Sequence, residues 1–439
     1  MLTRKAVEDF IPAAGGAYDV IVAGGGPAGL GAALASAGNG AKTLLLESRG
    51  FLGGVGSLAL WMPMNRLFAG GASRGGIHEK FVRKILSYGK DASVPGEESF
   101  TAGDNLDIHP DYLRLAAYEL LEEAGCYYRL YSPVTGVLMD GKKITGVVVN
   151  GKNGREEYRA KVMIDATGDG DLAFFAGAEI VEGREEDGIH MPLALVFAIA
   201  NVDEEKFYAF FADKEKYRTV LKEAREEGYL TAAWYAFDRT TLPGVVSVNN
   251  GGIYNIGNLD GKDARDLTVA ERMGSKAAMD FITFARRKIP GMETCRLARL
   301  GSAVAVRDTR RIVGDYTLTV EDARTGPYFD DAVARKFGSI DANQLYVGEM
   351  KSGFHYPYRC MLPKGIENLL AAGRCGSATF LGHAAGKSMG NMMALGQGAG
   401  VAAALSARFN TAPRSLDVKL VQKALADMGV DLAVKEKPV

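Results

Sequence analysis

The first patterned stretch is a short apolar run, Tyr18–Ala23, a glycine turn, a small-residue helix stopped at Gly38–Gly40, and a second apolar run ending at Glu47. Strand, turn, helix and strand in that order predict a parallel βαβ unit. His109-Pro110-Asp111 then opens an amphipathic helix that Gly125 stops. Val134–Met139 and Ile144–Val149 read as strands joined through Asp140-Gly141, a hairpin signal. A third strand, Glu157–Ile164, runs into Asp165-Ala166-Thr167-Gly168-Asp169-Gly170-Asp171. From about Val181 to Phe354 aromatic and charged residues become frequent. There Thr268-x-x-Glu271 reads as a capping box, and Arg286-Arg287-Lys288 before Pro290-Gly291 as the end of the same helix. After Tyr356 the opening pattern resumes with a strand over Ile366–Ala372, a glycine-rich loop and a helix from about Asn391 to Ala407. The expected fold is α/β. A Rossmann-like domain with a parallel sheet spans 1–180 and 355–439, and an α+β substrate domain is inserted at 181–354.

The first turn carries the most specific chemistry. Gly24 permits a tight turn, Gly26 lets a phosphate approach the backbone, and Gly29 lets helix and strand pack closely. The free N–H groups at the helix start favour an anion. Glu47 follows Gly29 by 18 residues and can accept hydrogen bonds from a ribose hydroxyl. A carboxylate there disfavours a 2′-phosphate. The pattern therefore points to a dinucleotide other than NADP.

Composition narrows the class. Among 439 residues, 47% are hydrophobic and 24% charged, as in a globular chain of two or three domains. A net charge of −1 gives no general attraction to nucleic acid or anionic membrane. Cys126, Cys295, Cys360 and Cys375 are widely spaced, which argues against zinc, a dithiol centre or an iron–sulfur cluster, and no metal site is expected. The longest apolar run, Met191–Ala200, is too short to span a bilayer, and residues 1–17 hold no secretory h-region. A cytoplasmic protein is expected.

The motifs AGGGPAG…LLLES, IDATGDGDLAFFAGAE and NLLAAGRCGSAT…MALGQGAGVAAAL, in this order, resemble FAD-dependent oxidoreductases with a glutathione-reductase-type FAD domain, in the succinate dehydrogenase/HdrA-like branch. The resemblance implies FAD, held non-covalently because Ser48–Leu52 offers no histidine for attachment. It implies that Gly24, Gly26, Pro27, Ala28 and Gly29 hold the pyrophosphate and Glu47 the adenosine ribose. Arg49 and Gly53-Gly54 would run beside the ribityl chain and flavin. Val134 would contact adenine, Thr167-Gly168 would close that pocket, and Gly373-Arg374 would approach the pyrophosphate. The start of the late helix, Asn391-Met392, would face the negative charge that grows near flavin N1 when hydride arrives at N5.

Two clusters are candidates for catalysis. His383 and Lys387 lie four apart in an expected loop, and His355 with Tyr358 lies where the inserted segment returns. Packing explains each of them as well. Arg307, Arg310 and Arg311 suit a carboxylate, although Asp308 and Asp315 nearby favour structural ion pairs. The expected activity is hydride transfer between a small polar organic substrate and flavin, with oxygen or a separate electron acceptor. The alternatives are a C=C reductase, a monooxygenase or a non-catalytic flavin-binding subunit. The expected partners are a small molecule and, as one option, further copies of the chain.

Overall fold

Short apolar runs condense into one sheet because each is too short to be buried alone. The computed structural model describes residues 3–65, 74–95, 105–342, 345–348 and 353–432. Its central sheet contains β1 (Ala17–Ala23), β2 (Thr43–Leu46), β3 (Tyr127–Arg129), β4 (Val134–Asp140), β5 (Lys143–Gly151) and β6 (Gly154–Asp165). Their order is β3-β2-β1-β6-β5-β4, and a return strand, Leu369–Ala371, also pairs with β6. The long β6 serves two roles. Its first half closes an antiparallel meander with β5, and its second half lies parallel between β1 and the return strand. The result is an α/β fold with a parallel-rich centre.

The helix α1 (Pro27–Gly38) packs over this sheet against a late helix, Met389–Phe409, which starts and ends two residues outside the expected range. Their contact is nearly backbone to backbone. A Cβ on Gly396 would lie 1.8 Å from the Ala28 carbonyl oxygen, and one on Gly400 would lie 2.2 Å from that of Ala32.

A second sheet, β7 (Phe197–Ala200), β8 (Tyr235–Arg239), β9 (Val246–Asn250) and β10 (Arg296–Leu300), has the antiparallel order β8-β9-β7-β10. Alternation splits its residues by face. Phe197, Phe237 and Val248 join a separate core with Phe207, Phe211 and Phe281 from two helices. The inserted segment divides unequally between the two bodies. Leu318, Val333, Ala334, Ile340 and Phe354 join the core of the first body rather than this one. Strand pairing explains the division, because 332–336 pairs antiparallel with 354–357 and carries the chain back onto the central body.

The Thr268 capping box does not form. The helix begins a turn earlier, at Ala264, where the Asp263 carboxylate accepts from the Arg265 and Asp266 amides. Thr268 is then interior and donates to the Ala264 carbonyl, while Glu271 accepts from the Val304 amide. A true capping box sits at Thr319 and Asp322, where no helix was expected.

On the opposite face of the second sheet, Asp238 lies level with Ser247, whose hydroxyl bonds the Leu60 carbonyl of the first body. Both Asp238 oxygens are buried without a hydrogen-bond partner among the described residues. Burial and the neighbouring buried Asp107 hold this carboxyl well above the usual carboxylate range. The unfolded chain ionises here near pH 4, about the reference value, and the folded chain does not. The stability conferred by the neutral form is thus complete below about pH 4 and is lost as pH rises towards the folded value. Asp238→Asn should flatten that slope and stabilise the protein at pH 8 by on the order of 1–3 kcal/mol. Melting curves from pH 4 to 8 check this; an unchanged slope would count against it.

Candidate functional site

The Gly24–Gly29 turn leaves β1 at its carboxyl end, where open α/β sheets bind ligands. Gly24 has φ +100°, and a Cβ there would meet the Ala166 carbonyl oxygen at 2.3 Å. A Cβ on Gly29 would lie 1.7 Å from the Gly24 carbonyl oxygen. Pro27 opens α1, so its missing N–H costs nothing there. Gly53 donates to the Gly25 carbonyl at 2.8 Å, and a Cβ on Gly54 would lie 2.8 Å from the Gly26 Cα. From the far end of the chain, Gly373 comes so close that a Cβ there would lie 2.9 Å from the Ala28 Cβ. The turn is therefore a floor of bare backbone around a helix N-terminus, built from three separated segments.

Glu47 is buried and accepts from the Gly25 amide at 2.7 Å and the Arg49 amide at 2.8 Å. It holds the turn in shape; Oε1 also accepts from the Ser48 hydroxyl at 3.0 Å, so the lone pair left for a further donor is on Oε2. Arg49 accepts through its carbonyl from Tyr131, a residue at φ +52° whose phenol lies against Gly50. Val134 begins β4 just beyond. The Asp165 carboxylate shapes the next turn, accepting from Thr167 and from the Ala173 amide, and sets Thr167 beside Gly24.

Arg374 departs from expectation. Its guanidinium lies beside Gly168 and is taken by Asp169 at 2.7 Å and by the Thr309 hydroxyl at 2.8 Å. The Asn391 side chain is also fully engaged. Its oxygen accepts from Arg74 at 2.7 Å and the Phe337 amide, and its nitrogen donates to the Phe337 and Gly386 carbonyls. What Asn391 and its neighbours leave for a ligand is the amide edge of the helix start. Met392, in the same first turn, packs partly buried on the core.

The two catalytic clusters fare differently. Each His355 nitrogen has a backbone partner: Nδ1 faces the Phe329 amide at 3.4 Å, and Nε2 the Leu432 carbonyl at 2.8 Å. Tyr358 is buried and donates to the Pro413 carbonyl at 2.9 Å. These groups tie down the C-terminal segment. His383 and Lys387 lie elsewhere, around a short helix, Phe380–Ala384, that Thr379 caps where a loop was expected. His383 Nε2 donates to the Arg307 carbonyl at 3.0 Å, which leaves Nδ1 as the acceptor. Burial, then the Lys387 and Arg311 cations, holds this imidazole well below its usual range. Among the described residues Lys387 has one polar partner, the Met191 sulfur at 2.8 Å. Burial, then the Arg307 cation, holds its ammonium well below the usual lysine range, against the pull of Asp341 and Asp308.

Lys336 was not singled out from the sequence. It is buried on the strand 332–336, beneath Gly386 and beside the Phe354 and Tyr356 rings, and burial pushes it down to about 7. A lysine in a short apolar strand gave no signal by itself. Glu182, His190 and Asp260 bring ligand atoms within 4.8 Å of one another, but the Lys262 ammonium pairs with both carboxylates.

The profile of the family described as FAD dependent oxidoreductase matches residues 19–425. The chain belongs to this family. This FAD dependent oxidoreductase is similar to the digeranylgeranylglycerophospholipid reductase of Picrophilus torridus, at 30% identity over 210 residues, 44% of this chain and 49% of the relative. The Thermoplasma volcanium enzyme of the same name matches at 31% over 209 residues, 44% and 50% of the two chains. The chain spans about half the length of the curated relatives it matches. Among solved structures, a geranylgeranyl bacteriochlorophyll reductase-like protein from Thermoplasma acidophilum aligns at 17% identity and TM-score 0.46, over 94% of this chain and 84% of that one. The cofactor of the FAD dependent oxidoreductases is FAD, and the bare-backbone turn fits its pyrophosphate: a Cβ on Gly26, at the start of α1, would meet only the Gly54 Cα, at 3.8 Å, so the helix start is open to a phosphate. Among the described residues no helix is long and apolar enough to cross a membrane.

Proposed function

We propose that this oxidoreductase acts on a small polar organic substrate held beside the turn that starts the late helix. One observation carries the reading. The helix that seats Gly396 on Ala28 of the cofactor turn begins next to Lys387, a half-buried cation whose sole polar partner among the described residues is a thioether. Cofactor cradle and cation thus lie at one packed helix. Gly24, Gly26, Pro27, Ala28, Gly29, Gly53, Gly54 and Gly373 would hold the pyrophosphate and ribityl chain, with Glu47 at the ribose and Val134, Thr167 and Gly168 around adenine. Bound FAD supplies the redox chemistry by exchanging a hydride with substrate at N5. Lys387 would bind and orient the polar end of the substrate. Neutral His383, with Nδ1 open as an acceptor, would take the proton released when a C–H beside oxygen or nitrogen is oxidised. The amide edge at Met389–Asn391 would favour negative charge. The likeness of the motifs to the succinate dehydrogenase/HdrA-like branch supports oxidation, and the digeranylgeranylglycerophospholipid reductase relatives are compatible with a second reading, reduction of a C=C bond.

Reduction of the FAD-loaded protein by candidate substrates without air, followed by turnover with air or an added acceptor, separates a dehydrogenase from an oxygen-using enzyme. A protein that binds no FAD would sink the whole reading. Lys387→Met should lower kcat/KM by about 10–10²-fold, the loss of one charge-assisted contact, while flavin absorbance stays normal. Unchanged steady-state kinetics would remove Lys387 from the site.

A further inference from the structure

The helix Ala264–Lys288 is the longest among the described residues, and it sorts its charges by direction. Its three acids are tied to backbone amides and none is exposed: Asp266 accepts from Asp260, Glu271 from Val304 and Asp280 from Leu230. The cations point outward. At about 100° per residue, Arg265, Arg272, Lys276, Arg286 and Arg287 fall within about 100° of one another around the axis, and all five are exposed. Lys276 pairs with Asp280 and Arg287 with Glu227, whereas Arg265 and Arg272 have no ion-pair partner among the described residues. Asp263, at the helix start, spends its carboxylate on the Arg265 and Asp266 amides. Arg286 donates to the Cys295 carbonyl at 2.7 Å, which sets the exposed Arg296 on the flank of the same stripe. Two apolar side chains stand inside the stripe, Val269 at 42% exposure and Met279 at 47%.

An exposed helix is steadied when acids and cations alternate at i,i+4 spacing. Here the outward stripe has one sign over about 33 Å, from Arg265 to Arg287. The geometry points to an extended partner of negative charge, and we propose that this face docks the protein on an anionic lipid surface. The inference is independent of the redox reading. Charge complementarity selects an anion, and the two apolar side chains select lipid among the anions. A helix lying in the headgroup layer keeps its cations at the phosphates and turns Val269 and Met279 towards the acyl boundary. A nucleic acid would face both of them with phosphates and sugars. The net charge of −1 does not oppose the contact, because salt screens charges beyond about 10 Å and only the local excess is felt. With two apolar side chains and no lipid anchor, the attachment should be reversible and sensitive to salt.

The test is cosedimentation of the FAD-loaded protein with vesicles of phosphatidylcholine alone and of phosphatidylcholine with about one third phosphatidylglycerol, at about 50 and 500 mM salt. The expected result is partitioning at least about tenfold stronger on the phosphatidylglycerol vesicles, lost at the higher salt. Arg265→Glu with Arg272→Glu should lower it at least about tenfold, whereas Arg265→Lys with Arg272→Lys should retain it. Val269→Ser with Met279→Ser should weaken binding at both salt concentrations. These side chains are exposed, and melting curves with flavin content confirm that each variant folds. Equal partitioning on the two kinds of vesicle, no partitioning on either, or unchanged partitioning in the charge-reversed variant would overturn the proposal. So would tighter binding to a single-stranded RNA than to the phosphatidylglycerol vesicles at the same salt, which would assign the stripe to nucleic acid.

Discussion

Gly29→Ala should abolish copurification of FAD. The added methyl would sit 1.7 Å from the Gly24 carbonyl oxygen and 2.8 Å from its carbon, both backbone atoms of the turn itself. No flexible side chain can yield, so α1 must move away from β1 or the turn must open. Either shift displaces the amides proposed to cradle the pyrophosphate. The strain is at the upper end for overpacking, about 3 kcal/mol, which is more than a hundredfold in affinity if it falls on the bound state. Gly38→Ala is the matched control, because a Cβ there meets nothing within 4 Å. Flavin absorbance of the two purified variants decides the matter. Equal FAD content would mean that the turn does not hold the cofactor.

Asn391→Ala should destabilise the protein by about 3 kcal/mol, the upper end for leaving buried donors and acceptors unsatisfied. Its side chain joins three parts of the chain: Arg74, the Phe337 peptide group and the Gly386 carbonyl. Asn391 is completely buried and Arg74 nearly so, so water cannot replace the lost bonds. The loss should also misplace the start of the late helix, and FAD binding should weaken with stability. Denaturant unfolding with FAD release measured in parallel checks both effects. A stable variant with full flavin content would show that the network is incidental.

The sequence revealed the parts of this fold that depend on local steric rules. The glycine turn, the Asp140-Gly141 hairpin and the small-residue face at Gly396 and Gly400 each leave a pattern within a few positions, and each was legible. Long-range competition for polar groups leaves no such pattern. Arg374 follows the expected glycine, yet Asp169 and Thr309, far away in sequence, take its guanidinium. His355 and Tyr358 have the residue types of a catalytic cluster, yet backbone carbonyls at Leu432 and Pro413 occupy them. Lys336 became a candidate only when its burial and the lack of a carboxylate partner among the described residues were visible. Thr268 shows the same limit at short range, because Asp263 provided a better cap one turn earlier.

The crossing of α1 with the late helix also has a consequence for synthesis. Nine residues of α1, from Ala28 to Ser36, are buried, and much of their cover comes from the distant helix Met389–Phe409. A nascent chain must therefore carry an exposed apolar surface until that helix has been made. Its nucleotide turn cannot be completed until Gly373 and Gly396 emerge. Closure over so long a loop is slow, and it leaves a window for aggregation and chaperone capture. Truncation before the late helix should then yield insoluble material rather than a smaller flavin-binding domain.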